Sequence, residues 1–155
     1  LIAHLLRETG FPAERLELEI TENMVINYTE EVLGKLRRLR QLGVKIAMDD
    51  FGTGYSSLSY LARFPFDKIK IDRQFVRNMT RDPAMRAIVK TIIALGESVD
   101  ITVTAEGVES QEQASILREY GCPQAQGFLY GTPGAPEATD TSGKVTSIKS
   151  RSSAA

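Results

Sequence analysis

Four things are scarce in this chain: cysteine, net charge, long apolar runs and glycine-rich phosphate loops. Cys122 is its single cysteine, which excludes an internal disulfide framework and fits a reducing compartment; such a residue is expected to be a small apolar filler. With 19 basic and 20 acidic residues the net charge is −1, too little for the basic field that a nucleic-acid polymer or a membrane surface would require. No apolar run approaches the roughly 20 residues that cross a bilayer, and the first residues lack the basic-then-apolar order of a signal peptide. A cytoplasmic location is therefore expected. Neither GxGxxG nor GxxxxGK[ST] occurs, which argues against a doubly wound nucleotide-binding sheet.

What is present reads as alternating strand and helix. At 155 residues, 42% hydrophobic and 25% charged, the chain can bury one real core. It opens at Leu1 inside a helix-like stretch, LIAHLLRETG, so its beginning is expected to lie upstream. His4 is expected on that helix's surface. RLELEIT (15–21) alternates apolar and charged residues with the period of a strand. NYTEEVLGKLRRLRQLG has helical spacing, with Val32, Leu33, Leu36 and Leu39 on one face and a solvated cluster of Arg37, Arg38 and Arg40 off it. Asn27 with Glu30 suits a capping box, and Gly43 the position beyond the C-terminus. There follow a strand VKIAMDDF, a short helix from Ser56 or Ser57 to Phe64, a strand FDKIKID, and a long helix from Pro83 capped by Asp82. ITVTAEGV (101–108) is again strand-like, SQEQASILREYG carries a Ser110–Gln113 capping box with Gly121 past its end, and QAQGF (124–128) reads as a last strand.

Strands separated by helices pair in parallel through right-handed crossovers, so the class is α/β. Strands buried on both faces should carry polar groups only where they emerge. Here Glu19, then Asp49 and Asp50, then Lys70 and Asp72, then Glu106, then Gln126 fall at successive strand ends. Enzymes on (β/α)8 barrels gather their catalytic groups there. The expected fold is a (β/α)8-type barrel truncated at the N-terminus, with about five of eight strands, because a whole barrel takes about 250 residues.

Glu19, Asp49, Asp50 and Glu106 on one rim would repel one another unless protons or cations neutralise them. Hard dications such as Mg²⁺ or Mn²⁺ are the natural partners of such oxygen donors. Adjacent Asp49 and Asp50 cannot face one point without a kink and so suit two neighbouring metals, an arrangement used in phosphodiester hydrolysis. Lys70 would orient a phosphate or a water. Against this, any one acid at a strand end is more often a cap or a solvated rim residue. Only their joint recurrence lifts them above that reading.

ELEITE (17–22), DDFGTGYSS (49–57), KIKIDRQFV (68–76), TAEGVE (104–109) and QAQGF (124–128), in that order and spacing, resemble the later motifs of the EAL family, bacterial phosphodiesterases that linearise cyclic di-GMP. The resemblance covers about residues 1–130. It implies a barrel that uses Mg²⁺ or Mn²⁺, two ions in all, and releases pGpG. Carried over, Glu19 and Asp49 would be metal ligands, Asp50 a ligand of the second metal, and Lys70 a partner of the nucleophilic water. Glu106 would be the general base or a water-mediated contact to metal. Glu22 and the loop from Asp50 to Ser57, with Gly52, Thr53 and Gly54, would brace the site and couple it to a homodimer surface formed with the neighbouring helix, while Glu109 and Gln126 would support the pocket.

The chain also departs from the family. Neither the Glu-Ala-Leu signature nor a metal-binding asparagine, both expected on earlier strands, occurs. After Phe128 it runs GTPGAPEATDTSGKVTSIKSRSSAA instead of a Lys-Pro turn and closing helix, and residues 131–155 are expected to form a disordered tail. Three readings follow: the C-terminal portion of a catalytic EAL domain, a degenerate EAL module that binds cyclic di-GMP or a protein partner without turnover, or a non-catalytic barrel fragment. The intact acids and Lys70 favour the first for the parent protein, with the fragment alone inactive. Tethering of the parent to a membrane would come from segments outside this chain.

Overall fold

The computed structural model describes residues 1–25, 30–54, 61, 64 and 66–132, and the chain divides into two compact units, Leu1–Lys70 and Ile71–Ala155. The first begins with the helix Ile2–Thr9, on which His4 is exposed. Strand β1 (Glu17–Thr21) leads into a short helix, Glu22–Val25, and the helix Glu30–Gln41 leads into β2 (Lys45–Phe51). Leu33 and Leu36 are buried while Arg37, Arg38 and Arg40 are exposed, as the 3.6-residue period requires. Of these arginines, Arg40 is not merely solvated: it pairs with Asp67 at 3.2 Å. Gly43, at φ 99, ends this helix in the left-handed region, which costs other residues strain.

β1 and β2 pair in parallel, with Glu17 opposite Lys45 and Glu19 opposite Ala47. In β2, Ile46, Ala47 and Met48 are consecutive and all buried, so both faces are covered, as expected of a parallel sheet. Strand β3 (Lys68–Ile71) carries the boundary between the units, which falls after Lys70. Strand order follows chain order, β1-β2-β3-β4-β5.

The second unit holds the helices Arg73–Asn78 and Pro83–Ser98, strand β4 (Thr102–Ala105), the helix Gln111–Glu119 and strand β5 (Gln124–Ala125), which pairs in parallel with β4. The caps of its two longer helices are those the sequence announces. Asp82 accepts the N–H groups of Ala84 and Met85 at 2.8 and 3.4 Å. Ser110 accepts from Gln113 N–H at 3.2 Å, and the Gln113 side chain accepts from Ser110 N–H at 3.0 Å. The helix Arg73–Asn78 is one the sequence reading overlooks. Asp72, expected as a strand-end acid, is its cap and accepts Gln74 N–H at 2.8 Å. The proposed Asn27 cap, the helix beginning at Ser56 or Ser57, and the tail from residue 133 lie outside the described residues.

Cys122 is fully buried, with its thiol 3.1 Å from the Gln124 carbonyl. Burial pushes this thiol up to about 11, which suits a filler and not a nucleophile at neutral pH. Gly96 faces β4 so closely that a Cβ there would lie 2.2 Å from Val103 Cγ2 and 2.9 Å from the Ile101 carbonyl oxygen. Gly96→Ala is therefore expected to destabilise the protein by about 1–3 kcal/mol through overpacking, outweighing the roughly 1 kcal/mol by which alanine favours a helix. Urea unfolding checks the sign; a variant as stable as the parent would show that the helix can lift off β4 without cost.

Candidate active site

In the first unit, strands one apart contribute to the same layer of side chains, as they do inside (β/α)8 barrels. Glu17 of β1 meets Lys68 of β3 at 2.6 Å, and two residues further along each strand Glu19 meets Lys70, also at 2.6 Å. The period of two explains the repetition. The Lys70 ammonium is buried, and it also lies 3.3 Å from Asp49 Oδ1 of the intervening strand β2. That contact is Coulombic without the alignment of a hydrogen bond. Asp49 Oδ1 is fully enclosed and has no hydrogen-bond partner among the described residues. A buried acceptor left in this state is costly unless something else occupies it.

Asp50 supplies the kink that adjacent carboxylates need. Its φ is 54, a left-handed conformation that costs a non-glycine residue about 1–3 kcal/mol and that aspartate tolerates better than most. The turn beyond is held from two sides. Thr53 donates its hydroxyl to the Asp50 carbonyl at 2.8 Å, and the buried Glu22 carboxylate accepts the N–H groups of Gly52 at 2.9 Å and Gly54 at 3.3 Å. Removing that carboxylate in Glu22→Ala should cost about 1.5–3 kcal/mol, the scale of hydrogen bonds to a charged group. It should also speed amide exchange at Gly52 and Gly54. Unchanged protection at those two amides would show that the turn holds itself.

The remaining expected residues lie in the second unit. Glu106, Glu109 and Gln126 line a cavity of about 210 Å³ together with Arg73 and the exposed Phe128. The backbone fixes two of them: Glu106 N–H donates to the Ile71 carbonyl at 3.2 Å, and Gln126 N–H to the Ala105 carbonyl at 2.8 Å. Arg73 is the lining residue that sequence reasoning misses; its one signal is that it follows the Asp72 cap.

The donors fit a hard dication in kind. Glu19 and Asp49 offer carboxylate oxygens, and Asp49 Oδ1 is an enclosed acceptor without a donor. No group of three or more His, Cys, Asp or Glu side chains converges among the described residues. Mg²⁺ does not need one, because it keeps several waters and is commonly held by one or two carboxylates plus substrate phosphates.

The family model described as the EAL domain matches residues 1–133. The cyclic di-GMP phosphodiesterase RocR of Pseudomonas aeruginosa is 45% identical over 132 residues, 85% of this chain and 34% of RocR. Among solved structures, the c-di-GMP complex of the PaMucR phosphodiesterase matches with a TM-score of 0.83 at 40% identity, over 88% of this chain and 55% of that one. The manganese/cy-diGMP complex of Klebsiella pneumoniae BlrP1 at pH 9.0 matches at 0.76 and 40% identity, over 83% and 33%. The chain thus spans 34% of RocR and as little as 16% of another curated relative. The parallel strands and intervening helices are those of EAL structures. In sequence and in fold alike, the chain belongs to the EAL domain family.

Proposed function

We propose that this chain supplies the acidic face of a divalent-metal-dependent phosphodiesterase that opens cyclic di-GMP to linear pGpG. The observation that carries this reading is the buried Lys70 seated between Glu19 and Asp49, with Asp49 Oδ1 enclosed and unbonded. In hydrolysis a water oxygen bonds to phosphorus, one P–O bond of the ring breaks, and the leaving ribose oxygen takes a proton. Glu19, Asp49 and Asp50 would hold Mg²⁺ or Mn²⁺. When bound, such ions polarise the phosphoryl oxygens and lower the pKa of water. Lys70 places a fixed positive charge where the water and phosphate must be oriented. Glu106 acts as general base or through a water, and Glu109 and Gln126 support the pocket. Phe128, 64% exposed at the cavity wall, offers a flat face on which a base can stack. Glu22, Gly52, Thr53 and Gly54 keep the Asp50 turn in place and connect it to a homodimer surface on the loop and neighbouring helix. The location would be the cytoplasm; among the described residues no helix is long and apolar enough to cross a membrane.

One observation favours a second reading, a module that binds cyclic di-GMP without turnover. Lys70 Nζ takes up Glu19 Oε1 at 2.6 Å, so a cation is already present where a dication would sit. Incubating this chain with a separately produced N-terminal portion of an EAL domain, cyclic di-GMP and Mg²⁺ or Mn²⁺ decides between them. Appearance of pGpG by chromatography supports the enzyme. Saturable binding without product supports the module, and the absence of both product and binding overturns both readings.

A further inference from the structure

The second unit holds a larger cleft of about 800 Å³ that shares Arg73 and Glu109 with the smaller cavity but extends to residues the hydrolytic reading does not use. Arg73, Arg77 and Arg81 line it, spaced four residues apart along the helix Arg73–Asn78 and the turn after it. All three are exposed. Among the described residues none of the three has an ion pair or a side-chain hydrogen bond. Like charges at a spacing of four destabilise a helix, and among the described residues no ion pair offsets them, although Glu109 and Glu112 line the same cleft. Asn78 and Thr80 add neutral donors, and Glu109 and Glu112 bring two carboxylates to the lining.

We propose that this cleft, lined by residues of the second unit alone, binds a nucleoside di- or triphosphate. Planar guanidinium forks match phosphate oxygens bidentately. Cations about 6 Å apart along the chain, from a helical rise of about 1.5 Å per residue, suit an extended oligophosphate better than a single phosphate ion. Glu109 and Glu112, which repel bare anions, accept hydrogen bonds from the ribose hydroxyls or base N–H groups that a nucleotide has and inorganic triphosphate lacks. The volume lies within the roughly 300–1,000 Å³ of small-molecule sites.

The test is a titration of the full chain with fluorescently labelled GTP and ATP and with inorganic triphosphate, in EDTA so that no dication contributes. Saturable nucleotide binding is expected, weakening as salt is raised. The double variant Arg77→Glu, Arg81→Glu should lose at least tenfold in affinity with an unchanged circular dichroism spectrum. If that variant misfolds, Arg77→Lys with Arg81→Lys serves instead, keeping the charge and losing the fork, with a smaller but measurable loss. Glu112→Gln should weaken the nucleotides and leave inorganic triphosphate no weaker. Absence of saturation at millimolar nucleotide, affinity unchanged in the arginine variants, or equal affinity for inorganic triphosphate and nucleotide would overturn the proposal.

Discussion

Asp49→Asn should lower turnover of cyclic di-GMP in an assembled EAL domain by about 10²–10³-fold, the scale of losing one preorganised charge in an active site. The neutral amide is a poorer ligand for a hard cation, and it removes a carboxylate that pairs with the Lys70 ammonium. Its effect on the fold should be small, because Glu19 still pairs with Lys70 at 2.6 Å and Asp49 Oδ1 makes no hydrogen bond to lose. The variant should therefore combine a nearly unchanged melting temperature with a large fall in kcat and a need for more Mg²⁺ or Mn²⁺. Parent-like kcat at saturating metal would remove Asp49 from the chemistry. A collapse of stability would instead make its role structural.

The second large effect is expected for the 155-residue chain by itself: turnover more than about 10²-fold below that of the same chain joined to an N-terminal EAL portion, with self-association in solution. Five strands do not close a barrel of eight, and a substrate lacking part of its wall is poorly oriented, where an error of about 1 Å already costs about 10²-fold. The interior is not where the isolated chain should fail. Ile46, Met48, Ile69 and Val103, the residues most at risk of exposure in an open barrel, are at most 2% exposed. The strand edges are the weak point. β1 and β5 end the strand order, and their outer backbone groups invite pairing with another copy. Sedimentation of the isolated chain as a monomer, together with ordinary turnover, would refute this.

Much of this protein is legible one residue at a time. The alternation in RLELEIT, the helical spacing of Leu33 and Leu36, the Asp82 cap before Pro83 and the Ser110–Gln113 box each act over one to four positions, and each stands where the sequence puts it. Failures occur where one residue type serves two local purposes. An aspartate after a strand reads equally as a rim acid or as a cap, and at Asp72 only its bond to Gln74 N–H decides for the cap. Asp50 shows the same limit, since its carboxylate is visible in the sequence while its left-handed backbone, at φ 54, is not.

What the sequence determined by itself is the order of the strands and of the longer helices, the alternation of side chains along each strand, and the presence of acids and a lysine near the strand ends. Tertiary structure alone decided who meets whom. Lys70 reaches Glu19 across 51 positions of sequence, and Glu22 reaches Gly52 across 30. The physical reason is register. A period of two fixes which side a residue faces, but partners on neighbouring strands are set by how far each strand slides against the next, and that is settled by burying Ile46, Ala47 and Met48 against whatever covers them.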